Sequence, residues 1–219
     1  MRTRIKICCI SSAEEARMAI LHGADAIGLV GRMPSGPGVI DDALVADIAR
    51  TVPPPIATFL LTSEQSAKSI IDHVRRVNTS TVQIVDELRE GAYHEIRAAL
   101  PGLRIVQVIH VSGRESIAQA ESLQDEVDAF LLDSGDPRAA VKMLGGTGKV
   151  HDWGISREIV SRVDKPVFLA GGLHPGNVQE AIGMVRPFGV DICSGVRTNG
   201  RLDHMKLVSF VEAVQSCFA

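Results

Sequence analysis

The chain has 219 residues, of which 45% are hydrophobic, 22% charged and 4% aromatic. That is enough apolar material for a packed core, and it excludes the disordered, collagenous and mini-protein classes. The 23 Lys and Arg against 26 Asp and Glu leave a net charge of -3 with no basic block to neutralise a phosphate backbone, so no nucleic-acid partner is expected. No apolar run reaches the roughly 18 to 20 residues that span a bilayer, and the charged start lacks the apolar stretch of a signal peptide. The sequence therefore reads as cytoplasmic, with no membrane partner.

In chain order, short β-branched or apolar runs at Arg4–Cys9, Asp25–Val30, Pro55–Leu61, Thr79–Val85, Leu103–Val111, Val127–Leu132, Pro166–Ala170 and Val190–Cys193 read as strands. Helical patterns lie between them. Ser12 with Glu15, and Thr62 with Gln65, have the spacing of a capping box, and Asp41 and Asp203 are further cap candidates. Later helices read at Leu88–Ala99, Arg114–Leu123, Ser156–Val163, Gly176–Val185 and Asp203–Ser216. Eight βα units leave about 27 residues each, which fits a single-domain (β/α)8 TIM barrel of the α/β class. A doubly wound open sheet is the alternative. It is disfavoured because no Gly-x-Gly-x-x-Gly follows the first strand and because chemistry-bearing residues recur at many strand ends. Asp25–Val30 echoes Asp128–Asp133, an echo too short to establish duplication.

A barrel of this kind places its active site at the C-terminal ends of the strands. There the sequence has Cys8-Cys9, the loop Gly31–Gly38 with Arg32, then His110, Asp133-Ser134, Gly171-Gly172-Leu173 and Asp191–Gly195. Gly-rich turns after the last two strands would let backbone donors approach a phosphate. A strand-end thiol can serve as a base and a buried carboxyl as an acid, although a cysteine is more often a small core residue and an aspartate more often a turn cap. Adjacent strand residues should face opposite ways, so Cys8 and Cys9 are expected not to enter the same site. The four cysteines include no Cys-x-x-Cys, and His110, His151 and His174 lack paired ligand spacing, so no metal site is expected. Of these histidines only His110 stands at the functional end of a strand. Trp153 reads as rim packing.

Lys6-Ile7-Cys8-Cys9-Ile10, Gly23–Val30, Leu132-Asp133-Ser134, Gly145-Gly146-Thr147-Gly148 with Asp152-Trp153, Leu169–Leu173 with Pro175 and Asn177-Val178, and Gly189–Asp191 with Ser194-Gly195-Val196 resemble, in order and from end to end, the phosphoribosylanthranilate isomerases. The resemblance implies an Amadori rearrangement of an N-linked ribose 5-phosphate in tryptophan biosynthesis, with a small phosphorylated sugar as substrate and no cofactor. It implies that Cys8 is the base and Asp133 the acid. It further implies that Gly171, Gly172, Asp191, Ser194 and Gly195 belong to the phosphate and substrate site.

The departures cluster at the mouth. The family's Lys-Ile-Cys-Gly becomes Cys8-Cys9, the arginine of its Ser-Pro-Arg is missing from Ser35–Gly38, Val-Gln-Leu-His-Gly becomes Val82–Asp86, and a glutamate after Ser-Gly-Val becomes Arg197. These changes suggest retained sugar-phosphate chemistry with an altered pocket for the amine, and hence weak preference for an amine bearing a carboxylate. Arg32, and less readily Arg197, could restore the missing charge. Arg32 and His110 are therefore candidate substrate contacts. A non-catalytic barrel that binds a phosphorylated ligand is the alternative. The oligomeric state, monomer or homodimer, is left open.

Overall fold

The computed structural model describes residues 2–34, 36–135 and 151–218. The Gly145–Gly148 motif and Ser35 lie outside the described residues. Eight parallel strands close a barrel in sequence order: β1 (Arg4–Ile7), β2 (Ala26–Val30), β3 (Ala57–Thr62), β4 (Thr81–Ile84), β5 (Arg104–His110), β6 (Ala129–Asp133), β7 (Val167–Leu169) and β8 (Gly189–Ile192). Closure is made by β8 against β1, with Lys6 opposite Asp191. The helices α1 (Ala13–Leu21), α2 (Asp42–Thr51), α3 (Ala67–Val77), α4 (Tyr93–Ala99), α5 (Glu115–Leu123), α6 (Trp153–Arg162) and α7 (Val178–Val185) return the chain between strands. After β8 come a 3₁₀ turn (Ser194–Val196), a short hairpin of β9 (Arg197–Thr198) and β10 (Arg201–Leu202), and α8 (His204–Gln215). The open-sheet alternative is thereby set aside. No described helix is long and apolar enough to cross a membrane.

Side-chain alternation along each strand separates two apolar layers. Ile5, Ile7, Ile27, Leu29, Leu60, Ile84, Ile105 and Ile109 face outward and join the helices in one cluster. Phe59, Leu61, Val106, Val108, Leu131 and Phe168 fill the barrel. Phe168 packs edge-on against Phe59 and Phe188, with centroids 5.9 and 5.4 Å apart. The Asp25 and Asp128 echo has a structural counterpart. Asp25 Oδ2 accepts Ile5 N at 2.9 Å and Asp128 Oδ2 accepts Ile105 N at 2.8 Å, so the same side chain ties β2 to β1 and β6 to β5.

Several local expectations need correction. Strand β1 stops at Ile7, two residues early, because Cys9 has φ 61° and breaks the extended backbone. The Thr62–Gln65 box does not form. Thr62 ends β3, and Ser66 caps α3 by accepting Ser69 N at 3.1 Å. Ser12 does accept Glu15 N at 3.2 Å, but the Glu15 carboxylate reaches Ser11 N instead of closing the box on Ser12. Helix α4 begins at Tyr93, after Gly91 at φ 77° and after Arg89 and Glu90 have bonded Gln65 O. Asp41 and Asp203 cap α2 and α8 as read.

Candidate active site

Period-two alternation puts Lys6 and Cys8 on the same interior face of β1. Gly28 on β2 leaves room for both, since a Cβ there would stand 2.8 Å from Cys8 Sγ and 3.0 Å from Lys6 Nζ. The Lys6 ammonium is wholly buried and bonds Asp191 Oδ1 at 2.8 Å. Burial opposes its charge, but the Asp191 carboxylate and the neighbouring Cys8 outweigh that, so Lys6 is held more firmly protonated than usual. A fixed ammonium therefore stands beside the Cys8 side chain. Asp191 thus faces into the barrel, under the mouth, with its carboxylate committed to Lys6.

Cys9 is also buried and packs in the same interior cluster as Cys8, contrary to the expectation from strand alternation. Left-handed backbone at Cys9 turns its side chain toward the loop after β2, where its thiol donates to Pro37 O at 3.6 Å. Gly38, at φ 77°, accommodates it, because a Cβ on Gly38 would lie 2.5 Å from Cys9 Cβ. Hydrogen bonding with Cys193, then with Cys8, and burial all push the Cys9 thiol up, away from ionisation. Cys193 is lowered, chiefly by its contact with Cys9.

Asp133 ends β6 beside His110, which ends β5. Its Oδ1 accepts Ser134 N at 2.7 Å. Burial is the largest influence on the carboxyl and raises it above the usual aspartate value, outweighing Ser134, His110 and Lys6. That favours the protonated form needed of an acid. His110 Nε2 donates to Val85 O at 2.9 Å, so its hydrogen lies on the nitrogen away from Nδ1, which is buried without a partner among the described residues.

The loops after β7 and β8 interlock. Gly171 and Gly172 have φ of 80° and 64°, and Asn177 pins the loop by donating to Gly172 O at 3.0 Å and accepting His174 N at 2.8 Å. A Cβ on Gly195 would lie 2.2 Å from Leu173 O, so only glycine fits where the 3₁₀ turn crosses this loop. Ser194 and Gly195 open that turn. Cys8, Asp133, His110, Gly171, Gly172, Ser194 and Gly195 therefore stand at one end of the barrel.

A family model described as N-(5'phosphoribosyl)anthranilate (PRA) isomerase matches residues 5–213. The chain belongs to this family. N-(5'-phosphoribosyl)anthranilate isomerase 2 of Methanosarcina mazei is 42% identical over 98% of this chain and 95% of its own. The isomerase of Methanocella arvoryzae is 36% identical over 97% and 98%. Among solved structures, the Thermotoga maritima phosphoribosyl anthranilate isomerase superposes with a TM-score of 0.81 at 28% identity, covering 98% of this chain and 99% of that one. Another, at 26% identity and a TM-score of 0.78 over 98% and 99%, is a phosphoribosyl anthranilate isomerase in complex with reduced 1-(o-carboxyphenylamino)-1-deoxyribulose 5-phosphate.

Within this isomerase barrel, two residues whose structural roles the sequence did not reveal, Lys6 and Arg197, do much of the holding. Lys6 was readable in principle, two residues before Cys8 on a strand and so on its face. Arg197 was weighed as a reader of substrate charge. The structure instead turns it inward, to Glu15 at 3.1 and 3.2 Å, to Gly200 O at 2.8 Å and to the carbonyls of Cys8 and Cys9. Its charge is committed to the turn after β1. Arg32 is exposed, and its side chain has no partner among the described residues. No group of three or more His, Cys, Asp or Glu among the described residues could hold a metal ion.

Proposed function

We propose that this barrel isomerises N-(5'-phosphoribosyl)anthranilate to the corresponding 1-amino-1-deoxyribulose 5-phosphate, without a cofactor, with Asp133 as acid and Cys8 as base. Asp133 gives its proton to the furanose ring oxygen. The bond from that oxygen to C1 breaks with its electron pair going to oxygen, and the amine lone pair forms the imine. Cys8, as thiolate, takes the proton from C2, and the electrons run to nitrogen to give an enolamine. C1 then gains a proton while the C2 hydroxyl loses one, which leaves the ketone. No atom is gained or lost and the overall redox state is unchanged, so the chemistry calls for proton donors and acceptors alone. The turns at Gly171–Leu173 and Ser194-Gly195 fit the phosphate through backbone donors. Arg32 is the cation proposed for the carboxylate of the amine.

The observation that carries this reading is the placement of Cys8 immediately after β1 and of a carboxyl with raised proton affinity at the end of β6, on one barrel mouth. An acid must hold its proton, so kcat/KM should fall as pH rises through the elevated Asp133 value. Asp133→Asn keeps the shape and removes the proton, and should cost about 10² to 10⁴ in rate at every pH. Normal turnover by folded Asp133→Asn would refute the acid role.

A further inference from the structure

We infer that His151 is a positioning residue for the acid, poised to donate a hydrogen bond from Nδ1 to the Asp133 carboxylate as it forms. This rests on the acid role proposed for Asp133. His151 lies just before α6, and its Nδ1 is buried without a partner among the described residues. Around Gly171, which has φ 80°, a Cβ would stand 3.1 Å from His151 Nδ1, 3.2 Å from Asp133 Oδ1 and 3.0 Å from Ser134 Oγ. The absent side chain of Gly171 thus leaves one space, bordered by the acid and by an unsatisfied ring nitrogen.

The other ring nitrogen indicates which atom carries the hydrogen. His151 Nε2 lies 2.7 Å from Ser156 Oγ, whose alternative acceptor, Asp152 O, is 3.5 Å away. The hydroxyl hydrogen is assigned to Nε2, the shorter of the two contacts, which puts the single N–H of a neutral imidazole on Nδ1. Burial, against a smaller opposing influence from Asp152, lowers His151 to about 4, so the ring is neutral near pH 7. A desolvated donor fixed in advance where negative charge develops favours the proton transfer that creates the charge. Ser134 N already holds Oδ1, and the titratable groups facing the carboxyl from other strands are His110 on β5, Lys6 on β1 and Asp191 on β8.

The experiment is the pH profile of isomerase turnover in the native protein, His151→Phe, His151→Asn and Asp133→Asn. His151→Phe should lower kcat about 10-fold or more with KM nearly unchanged, and should move the alkaline limb of kcat/KM to higher pH, because the anion loses a donor. His151→Asn, whose amide can place an N–H near the Nδ1 position, should recover most of the rate and return the limb. Native kcat and limb in His151→Phe, or equal losses in the Phe and Asn variants, would overturn the inference. An inactive Asp133→Asn alongside a native-like His151→Phe overturns it while leaving the acid role intact. An active Asp133→Asn removes both. In the unmodified protein, histidine nitrogen NMR should show a ring protonated on Nδ1 that vanishes in His151→Asn, and protonation on Nε2 would contradict the proposal even if the Phe variant fails to fold.

Discussion

At the residue scale, Cys9 shows how a single departure from the family pattern is accommodated. The position has φ 61°, a region that disfavours a side chain by roughly 1 to 2 kcal/mol, which explains glycine in the related motif. The Cys9 side chain fits because Gly38 lacks one. Substrate charge is a different matter. Arg197 is taken up by Glu15 and backbone carbonyls, which leaves Arg32 on the loop after β2 as the exposed guanidinium. A hydrogen bond to a charged group contributes about 1.5 to 3 kcal/mol, or roughly 10- to 150-fold. Arg32→Ala should therefore lower kcat/KM for the carboxylate-bearing amine by that factor and change little for an analogue lacking the carboxylate. Equal effects on the two substrates, measured side by side, would show that Arg32 does not read the carboxylate.

At the scale of elements, the turn between β1 and α1 is fixed from a distant part of the chain. Arg197, in β9, bonds the carbonyls of Cys8 and Cys9, and Glu15 in α1 accepts from Arg197, Ser11 N and Leu202 N. Both side chains are nearly buried, at 8% and 11% exposure. Removing one partner strands the other charge, which typically costs about 3 to 5 kcal/mol. Arg197→Met should destabilise by about that amount, read as a lowered denaturant midpoint, and Arg197→Met with Glu15→Gln should recover part of it. A single variant as stable as the native protein would contradict the pairing. Burial alone would raise Glu15, but Arg197 and the backbone donors outweigh it and hold it below the usual carboxylate range. Its contribution is accordingly complete above the ordinary glutamate pKa and lost as pH falls through the lower folded value. None of this network was legible in the sequence, because its two halves are 182 residues apart and no periodicity links them. Helix caps at Asp41 and Asp203 were legible, since capping is set within a few residues.

For the whole molecule, alternation pointed to a parallel α/β fold, and the missing Gly-x-Gly-x-x-Gly with chemistry at many strand ends favoured the barrel over an open sheet. Eight apolar runs separated by helical patterns leave few other ways to bury both faces of a parallel sheet. The ends of elements were less legible, as at Cys9 and Thr62, where a backbone angle or a tertiary contact overrides local pattern. Cys8 and Asp133 were recognisable from their motifs and strand ends, whereas the partners of Lys6, Arg197 and His151, namely Asp191, Glu15 and the space beside Gly171, came together only through contacts between distant strands and loops. The left-handed backbone at Cys9 brings into one interior cluster both thiols, which the sequence had assigned to opposite faces. Turnover of N-(5'-phosphoribosyl)anthranilate by the purified protein with no cofactor added, compared in native, Cys8→Ala and Cys9→Gly forms, tests the central claim most directly. The native and Cys9→Gly proteins should produce the ketose phosphate, and Cys8→Ala should lose about 10² or more in rate. An inactive native protein, or a Cys8→Ala variant that turns over normally, would contradict it.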